Sequence, residues 1–214
     1  LPAAAALWVM SEPIVRLVYE RGAFAANGST PTVAAILAIF GLGLPAFVLI
    51  KAFTPGYFAR EDTRTPMIFA AISVAVNVTT ALTLFPSMGA PGIAVASAVA
   101  GWVNALMLRG VLIRRGHWGR DVPLMKRIPR LVLSAIVMAV ALYFAEHWFA
   151  VRLGPGSPLI VKATTLLSLV AGGALLYFIA AFVTGGADFG MIRRNIKRGT
   201  AKGTAPAAKT EADE

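Results

Sequence analysis

A polar segment of ten residues, Tyr57–Pro66, lies between two long stretches that carry no charge. The uncharged stretches cover residues 31–50 and 67–108, and the segment between them contains Arg60, Glu61, Asp62 and Arg64. A bilayer core about 30 Å thick is crossed by about 20 apolar residues in a helix. The segment therefore indicates a short turn that joins two membrane spans.

The composition of the whole chain supports this interpretation. The sequence is 57% hydrophobic and 14% charged, with a mean hydropathy of +0.73. These values exclude an ordinary soluble domain. Cysteine is absent, which excludes disulfides, thiolate zinc sites and cysteine nucleophiles in this chain.

The net charge of +10 raises the question of nucleic-acid binding, but the positions of the charges argue against it. Of the 20 Lys and Arg residues, seven lie between Arg109 and Arg130 and six between Arg193 and Lys209. Clusters of basic residues beside membrane spans are typical of cytoplasmic loops that rest on anionic lipid. We therefore expect no nucleic-acid partner.

Hydropathy predicts an all-α, polytopic transmembrane helix bundle with six spans. The first span is the least regular, because Glu12, Pro13 and Arg16 interrupt it. Proline inside the second span, at Pro45, predicts a kink. The spans are placed at about 2–19, 31–53, 67–85, 92–112, 131–151 and 163–184.

Small side chains predict close helix packing in two of these spans. The fourth span carries Ala94, Ala98 and Gly101, which would let another helix approach closely, and Gly172-Gly173 in the sixth span suggests the same. Lys and Arg are concentrated in the segments 54–66, 114–130 and 186–214. In a chain with six spans, these three segments all lie on the same side of the membrane. This asymmetry predicts a cytoplasmic carboxy terminus, with a basic loop at 114–130 and a basic, mostly disordered tail at 187–214.

The chain starts at Leu1 in sequence that is already apolar, without a basic segment or cleavage site typical of a signal peptide. We expect it to be the carboxy-terminal part of a longer membrane protein.

Several charged and polar residues near the spans are candidate functional residues. Glu12 and Arg16, spaced i,i+4, either line a cavity or form an ion pair near the non-cytoplasmic interface, and the second interpretation is favoured. Lys51 contacts an anionic head group or anchors its span, and the anchor is favoured. Asn77 and Asn104 are expected to hydrogen-bond between helices.

The charged residues of the polar turn have two interpretations. Arg60, Glu61, Asp62 and Arg64 form an ion-pair network that fixes the turn, or they act as a gate in a transport cycle. The structural role is favoured, with Asp62 or Thr63 capping the helix that begins near Pro66. The basic loop 114–130, with Trp118 between its charges, also has two interpretations. It binds a phosphorylated head group or it is an orientation signal, and the second interpretation is favoured.

No catalytic arrangement is present in the sequence. His117 and His147 are predicted on opposite sides of the membrane, and no spacing suggests a metal site. A phosphate-binding loop is also missing. We predict neither an enzyme nor a cofactor.

Two segments resemble the MurJ/MviN family of bacterial lipid II flippases. Pro13–Phe24, with the sequence PIVRLVYERGAF, resembles a family segment of the form P-I-V-x-L-x-(F/Y)-E-R-G-x-F. Gly43–Phe47 followed by Lys51, and then Pro55–Pro66, resembles the family's next span and loop. The resemblance extends more loosely to about residue 198.

This resemblance implies a fold and a function. Family members are fourteen-helix MOP-type (MATE-like) transporters with two six-helix lobes and two extra helices. Residues 1–113 would be later helices of the second lobe. Residues 131–186 would hold the two extra helices, whose spans 131–151 and 163–184 would line a groove for the lipid tail. Lys51, Arg16 and Glu12 become candidates for the cavity.

The implied activity is movement of lipid II, the undecaprenyl-pyrophosphate-linked peptidoglycan precursor, across the bacterial inner membrane. The implied partners are lipid II, membrane phospholipids and the missing amino-terminal lobe, which would carry most of the cationic cavity. Two alternatives stay open: a related exporter of drugs or lipid-linked polysaccharide, and a non-transporting scaffold for cell-wall enzymes.

Overall fold

The computed structural model describes residues 1–19, 28–116, 122–149 and 158–185, with the backbone alone at 122–126 and Leu159. All regular structure in these ranges is α-helical. The helices are α1 (Pro2–Val9), α2 (Ser11–Tyr19), α3 (Thr30–Phe58), α4 (Arg64–Met88), α5 (Ala90–Arg114), α6 (Val122–Trp148) and α7 (Leu159–Val183).

Five of these helices, α3 to α7, are long and apolar enough to cross a membrane. The chain is thus a polytopic membrane helix bundle, as the sequence predicts. Many large apolar side chains face outward, as expected where hydrocarbon is the solvent, and α4 buries no residue at all.

The segment predicted as the first span, 2–19, consists of two short helices. The chain is interrupted at Met10, and Pro13 explains the position of the break. Proline has no N–H for the carbonyl oxygen of Val9, and its ring crowds that carbonyl. Met10 still donates to the Ala6 oxygen (2.8 Å), and Ile14 donates to the Met10 oxygen (3.1 Å). With eight and nine residues, α1 and α2 are each too short to cross a bilayer alone.

The turn between α3 and α4 is shorter than the sequence predicts. Helix α3 continues to Phe58 and α4 begins at Arg64, so five residues connect them where hydropathy alone marked 54–66. Similarly, α6 begins at Val122, so the second part of the predicted basic loop 114–130 is helical. Polar residues such as Thr54 and charged residues such as Arg64 and Arg130 therefore lie within the helices, beyond the predicted ends of the spans.

Small residues let α5 pack closely between α3 and α4. Ala94, Ala98 and Gly101 are buried, as predicted. A Cβ added to Gly43 on α3 would lie 3.3 Å from the Cα of Ala98, so the two backbones are in near contact.

The α6–α7 pair uses one of its two adjacent glycines in the same way. A Cβ on Gly173 would lie 2.9 Å from the Cδ2 of Leu142, whereas one on Gly172 would meet nothing within 4 Å. The predicted packing role therefore belongs to Gly173.

The bundle has two apolar centres. One, with Met10, Met138, Leu142 and Tyr177 among its members, joins α1 and α2 to α6 and α7. The other joins α3 to α5 through Phe53, Tyr57, Leu108 and Leu112. Because α1 and α2 also contact α3, they connect the two groups of helices.

Candidate functional site

Asp62 is the centre of a polar clasp at the turn between α3 and α4. Its Oδ1 accepts the backbone N–H of Thr65 (3.0 Å), and its Oδ2 accepts the Thr65 hydroxyl (2.7 Å) and Arg115 Nη1 (2.5 Å). Arg115 also donates to the Thr65 hydroxyl oxygen at 3.4 Å. Hereafter Asp62, Thr65 and Arg115 are called the clasp.

The clasp keeps Asp62 ionised. The Thr65 backbone N–H, followed by the side-chain hydrogen bonds from Arg115 and Thr65, lowers the pKa of Asp62 from 3.8 to about 2. Asp62 is also the residue that caps the start of α4, as the sequence predicts. The alternative, Thr63, makes no capping hydrogen bond with its side chain.

The four-residue ion-pair network predicted for this turn does not form among the described residues. Asp62 pairs with Arg115, which follows α5 and lies 53 residues away in sequence. The Arg60 side chain donates to the Gly56 carbonyl oxygen (2.7 Å), so it provides a hydrogen-bond partner for one of the last carbonyl groups of α3. Glu61 takes a left-handed backbone conformation (φ 58°), and neither Glu61 nor Arg64 makes an ion pair within the described part of the chain.

A buried hydrogen bond lies one turn inside the clasp. The Tyr57 hydroxyl donates to the Leu108 carbonyl oxygen at 2.6 Å, and Tyr57 is 2% exposed. Phe53 and Leu112 pack around it. The turn, α3 and the end of α5 are thus held together at one end of the bundle.

Polar side chains also join α4 to α5 further along the two helices. Asn77 donates to the Ser97 hydroxyl (3.2 Å), and Ser73 donates to the Ala100 carbonyl oxygen (2.9 Å). The interhelical role predicted for Asn77 is therefore confirmed. Asn104 is different, because its Oδ1 is buried without a hydrogen-bond partner in the described structure.

Lys51 lies inside α3, two turns before the helix ends at Phe58, and its side chain is exposed. The helix therefore continues past the predicted end of the second span at about residue 53. In the described structure no hydrogen bond or ion pair links Lys51 to the clasp. Val48, one turn earlier, is 63% exposed, so Lys51 belongs to an outward-facing part of the helix surface.

Glu12 and Arg16 form the predicted ion pair within α2. Both side chains are partly exposed, at 48% and 31%. Glu146, near the end of α6, lies within electrostatic reach of both. These three charged residues are separate from the clasp, since they belong to α2 and the Trp148 end of α6.

An apolar groove runs along one face of α6 and consists of two adjoining cavities that share Val132 and Ile136. The first, with a volume of about 460 Å³, is bounded by α6 and by Arg109 of α5. The second, about 280 Å³, lies between α6 and helices α1, α3 and α5, with Trp8 and Trp102 in its wall.

The lipid-tail groove that the family resemblance implies, along spans 131–151 and 163–184, stays a prediction. Helix α6 lines both cavities described above, and α7 contributes no lining residue to either among the described residues. The opposite wall comes from helices that are distant in sequence. Residues that share this face of α6 recur every four positions, at 128, 132 and 136, and this spacing is a sequence signal for a continuous apolar face.

In the described ranges, no group of three or more His, Asp or Glu side chains is arranged to hold a metal ion. His117, Trp118, residues 20–24 of the family-like segment and the tail from 186 lie outside these ranges.

Comparisons with known proteins give a consistent result. Residues 1–164 match the family described as "Lipid II flippase MurJ". The chain is 62% identical over 213 residues to the probable lipid II flippase MurJ of Rhizobium meliloti (strain 1021), covering 100% of this chain and 40% of that protein. It is 51% identical over 212 residues to the probable lipid II flippase MurJ of Rhizobium tropici, covering 99% and 39%.

A more distant relative is the lipid II flippase MurJ of Burkholderia cenocepacia, strain J2315. It is 29% identical over 190 residues, covering 86% of this chain and 35% of the relative. The chain thus spans about 40% or less of the length of these relatives.

Proposed function

This chain belongs to the MurJ family of lipid II flippases, and we propose that it is the carboxy-terminal part of a protein that moves lipid II from the cytoplasmic to the periplasmic leaflet. The observation that carries the proposal is 62% identity, over the whole chain, to a relative of that name. Flippases are transporters, and a chain with this fold belongs in the bacterial inner membrane as a multi-pass protein. The movement of lipid II would be the activity of the whole protein.

We assign residues 1–113, which hold α1–α4 and nearly all of α5, to the later helices of the second lobe, and residues 131–186, which hold most of α6 and all of α7, to the two extra helices. The excess of Lys and Arg in segments 54–66, 114–130 and 186–214 supports a cytoplasmic carboxy terminus. In this orientation the clasp lies at the cytoplasmic end of the bundle, and the Glu12–Arg16 pair lies toward the periplasm.

The second cavity of the groove along α6 is proposed as the path of the polyprenyl tail, because Trp8, Leu42, Pro45 and Trp102 give it an apolar wall suited to an isoprenoid chain. Lys51 is proposed to face the aqueous cavity between the lobes, where its ammonium group would attract the pyrophosphate. Its exposure on α3 is compatible with that position.

The polar turn is proposed as part of the cytoplasmic gate. The clasp fixes the backbone of the turn, while the exposed charges of Glu61 and Arg64 are not used in ion pairs within the described structure. They are therefore available to engage and release the other lobe as the two lobes rock.

The test is depletion of the full-length protein followed by measurement of lipid II in each leaflet. We expect lipid II to accumulate on the cytoplasmic leaflet and cells to lyse, with both effects reversed by the wild-type gene. If depleted cells still present lipid II on the outer leaflet at the normal level, the flippase function is wrong. A scaffold or an exporter of another substrate would give that result.

The role of the groove can be tested in the same cells with Val132→Trp, which would fill the overlap of the two cavities. Val140→Trp is the matched control, because Val140 is 49% exposed on the same helix and lines neither cavity. Complementation should fail for Val132→Trp and succeed for Val140→Trp. Equal complementation by both variants would remove the groove from the transport path.

A further inference from the structure

Among the described residues, the first cavity of the groove combines an apolar wall with a single charged residue. Five of these lining residues belong to α6, namely Ile128, Pro129, Val132, Leu133 and Ile136, and the sixth is Arg109 of α5. The four larger aliphatic side chains are between 38% and 54% exposed, so the cavity opens away from the described helices. A hydrocarbon chain is the natural occupant of such a surface.

Arg109 lies where it can meet a lipid head group. It precedes the end of α5 at Arg114 by five residues, which places its Cα about 7 Å inside the helix end. A long arginine side chain reaches from this depth to the membrane interface while its stem stays on apolar surface.

Arg109 also differs from neighbouring arginines in lacking a protein partner within the described structure. Arg115 pairs with Asp62, and Arg130 donates to the Gly185 carbonyl oxygen at 3.5 Å. No hydrogen bond or ion pair of Arg109 is formed with any described residue, and its side chain is exposed. A cation at the rim of an apolar groove calls for an anionic group from outside the protein.

We infer that this cavity binds one anionic phospholipid, with its phosphate on Arg109 and an acyl chain against Ile128, Leu133 and the rest of the α6 wall. A guanidinium binds a phosphate by two parallel hydrogen bonds. One arginine matches the single charge of a phosphodiester. A pyrophosphate with a sugar–peptide head would need more cations and polar groups, and the lining residues that the structure describes include none besides Arg109. The site therefore belongs to a phospholipid, independently of whether the protein moves lipid II.

The experiment uses the full-length protein in detergent, with native mass spectrometry to count bound lipids after addition of phosphatidylglycerol or phosphatidylcholine. Wild type should retain phosphatidylglycerol preferentially. Arg109→Gln should bind it roughly fivefold more weakly, with a smaller loss for phosphatidylcholine, whose choline balances the phosphate charge. Arg114→Gln is the matched control, since it removes the same charge from an exposed position on the same helix, away from the cavity.

Arg109→Glu provides a second variant, and it should abolish the preference for the anionic lipid. If both Arg109 variants keep the wild-type preference, the assignment is overturned. An equal loss in Arg114→Gln would also overturn it, because binding would then follow the general surface charge.

A second pair of variants tests the apolar wall. Leu133→Trp should reduce retention of phosphatidylglycerol, whereas Leu167→Trp, on the exposed face of α7 (71% exposed), should not. Unchanged retention in Leu133→Trp would contradict an acyl chain in this cavity. Undecaprenyl phosphate is then added as a competitor at an equal concentration. Displacement of phosphatidylglycerol from wild type, but not from Arg109→Gln, would reassign the site to the isoprenoid lipid.

Discussion

The hydroxyl of Tyr57 donates to the carbonyl oxygen of Leu108 at 2.6 Å, which joins α3 to α5 across 51 residues of sequence. Both residues are almost fully buried, at 2% and 1% exposure. This bond therefore connects two helix ends where water cannot replace either partner.

Replacement of Tyr57 by Phe should destabilise the protein by about 1 kcal/mol, because a buried hydrogen bond is lost while the ring still fills its site. The measurement is the free energy of unfolding in detergent. Tyr143→Phe is the control, since Tyr143 is 63% exposed on α6. Equal stability of the two variants would show that the bond contributes nothing.

Asp62 should be more important for stability than its partner Arg115. Asp62→Ala removes both the cap on Thr65 and the ion pair, whereas Arg115→Gln leaves the cap in place. We expect the midpoint of thermal unfolding to fall further for Asp62→Ala. Arg64→Gln, which removes an exposed charge without an ion pair, should leave the midpoint unchanged. The prediction fails if Arg115→Gln is the more damaging change.

The stability contributed by the Asp62 carboxylate should depend on pH in the acid range. The pKa of Asp62 is lowered in the folded protein from 3.8 to about 2, so the folded state favours the ionised form. Its contribution is complete above the unfolded pKa and is lost as pH falls from about 4 through about 2. The difference in the free energy of unfolding between wild type and Asp62→Asn should be constant from pH 5 to 8. It should shrink as the pH falls from about 4 to about 2. A difference that grows with acidification would contradict the direction of the pKa shift.

Two adjacent glycines on α7 should respond differently to the same change. Gly173→Ala forces a methyl group to within 2.9 Å of Leu142, which is 3% exposed and has little room to move, whereas Gly172→Ala meets open space. We expect Gly173→Ala to be less stable than Gly172→Ala by about 1–3 kcal/mol. The gain in helix propensity is common to both variants and cancels. Leu142→Ala should relieve the strain of Gly173→Ala, which a double-mutant cycle would measure.

Sequence was sufficient for features that depend on neighbours along the chain. Hydropathy predicts six spans, of which five are long helices, small residues mark the buried face of α5, and the spacing of Glu12 and Arg16 predicts their ion pair. The cap of α4 is predicted at Asp62 or Thr63, because capping involves residues only three positions apart, and Asp62 makes the capping hydrogen bond.

Features that depend on tertiary neighbours were missed. The partner of Asp62 is 53 residues away, and only the antiparallel packing of α4 and α5 brings Arg115 beside it. The predicted loop network was wrong for this reason. Hydropathy likewise cannot show that α6 meets α5 and α3 along the face that lines the two cavities.

The interruption at Met10 has a mechanical consequence. Helices α1 and α2 touch α3 on one side and the α6–α7 pair on the other, so they form the bridge between the two helix groups. A single straight helix could follow only one direction between these groups. Because the chain breaks at Met10, α1 and α2 each take their own direction, and each packs against both groups. The two groups are therefore held together along two separate lines of contact.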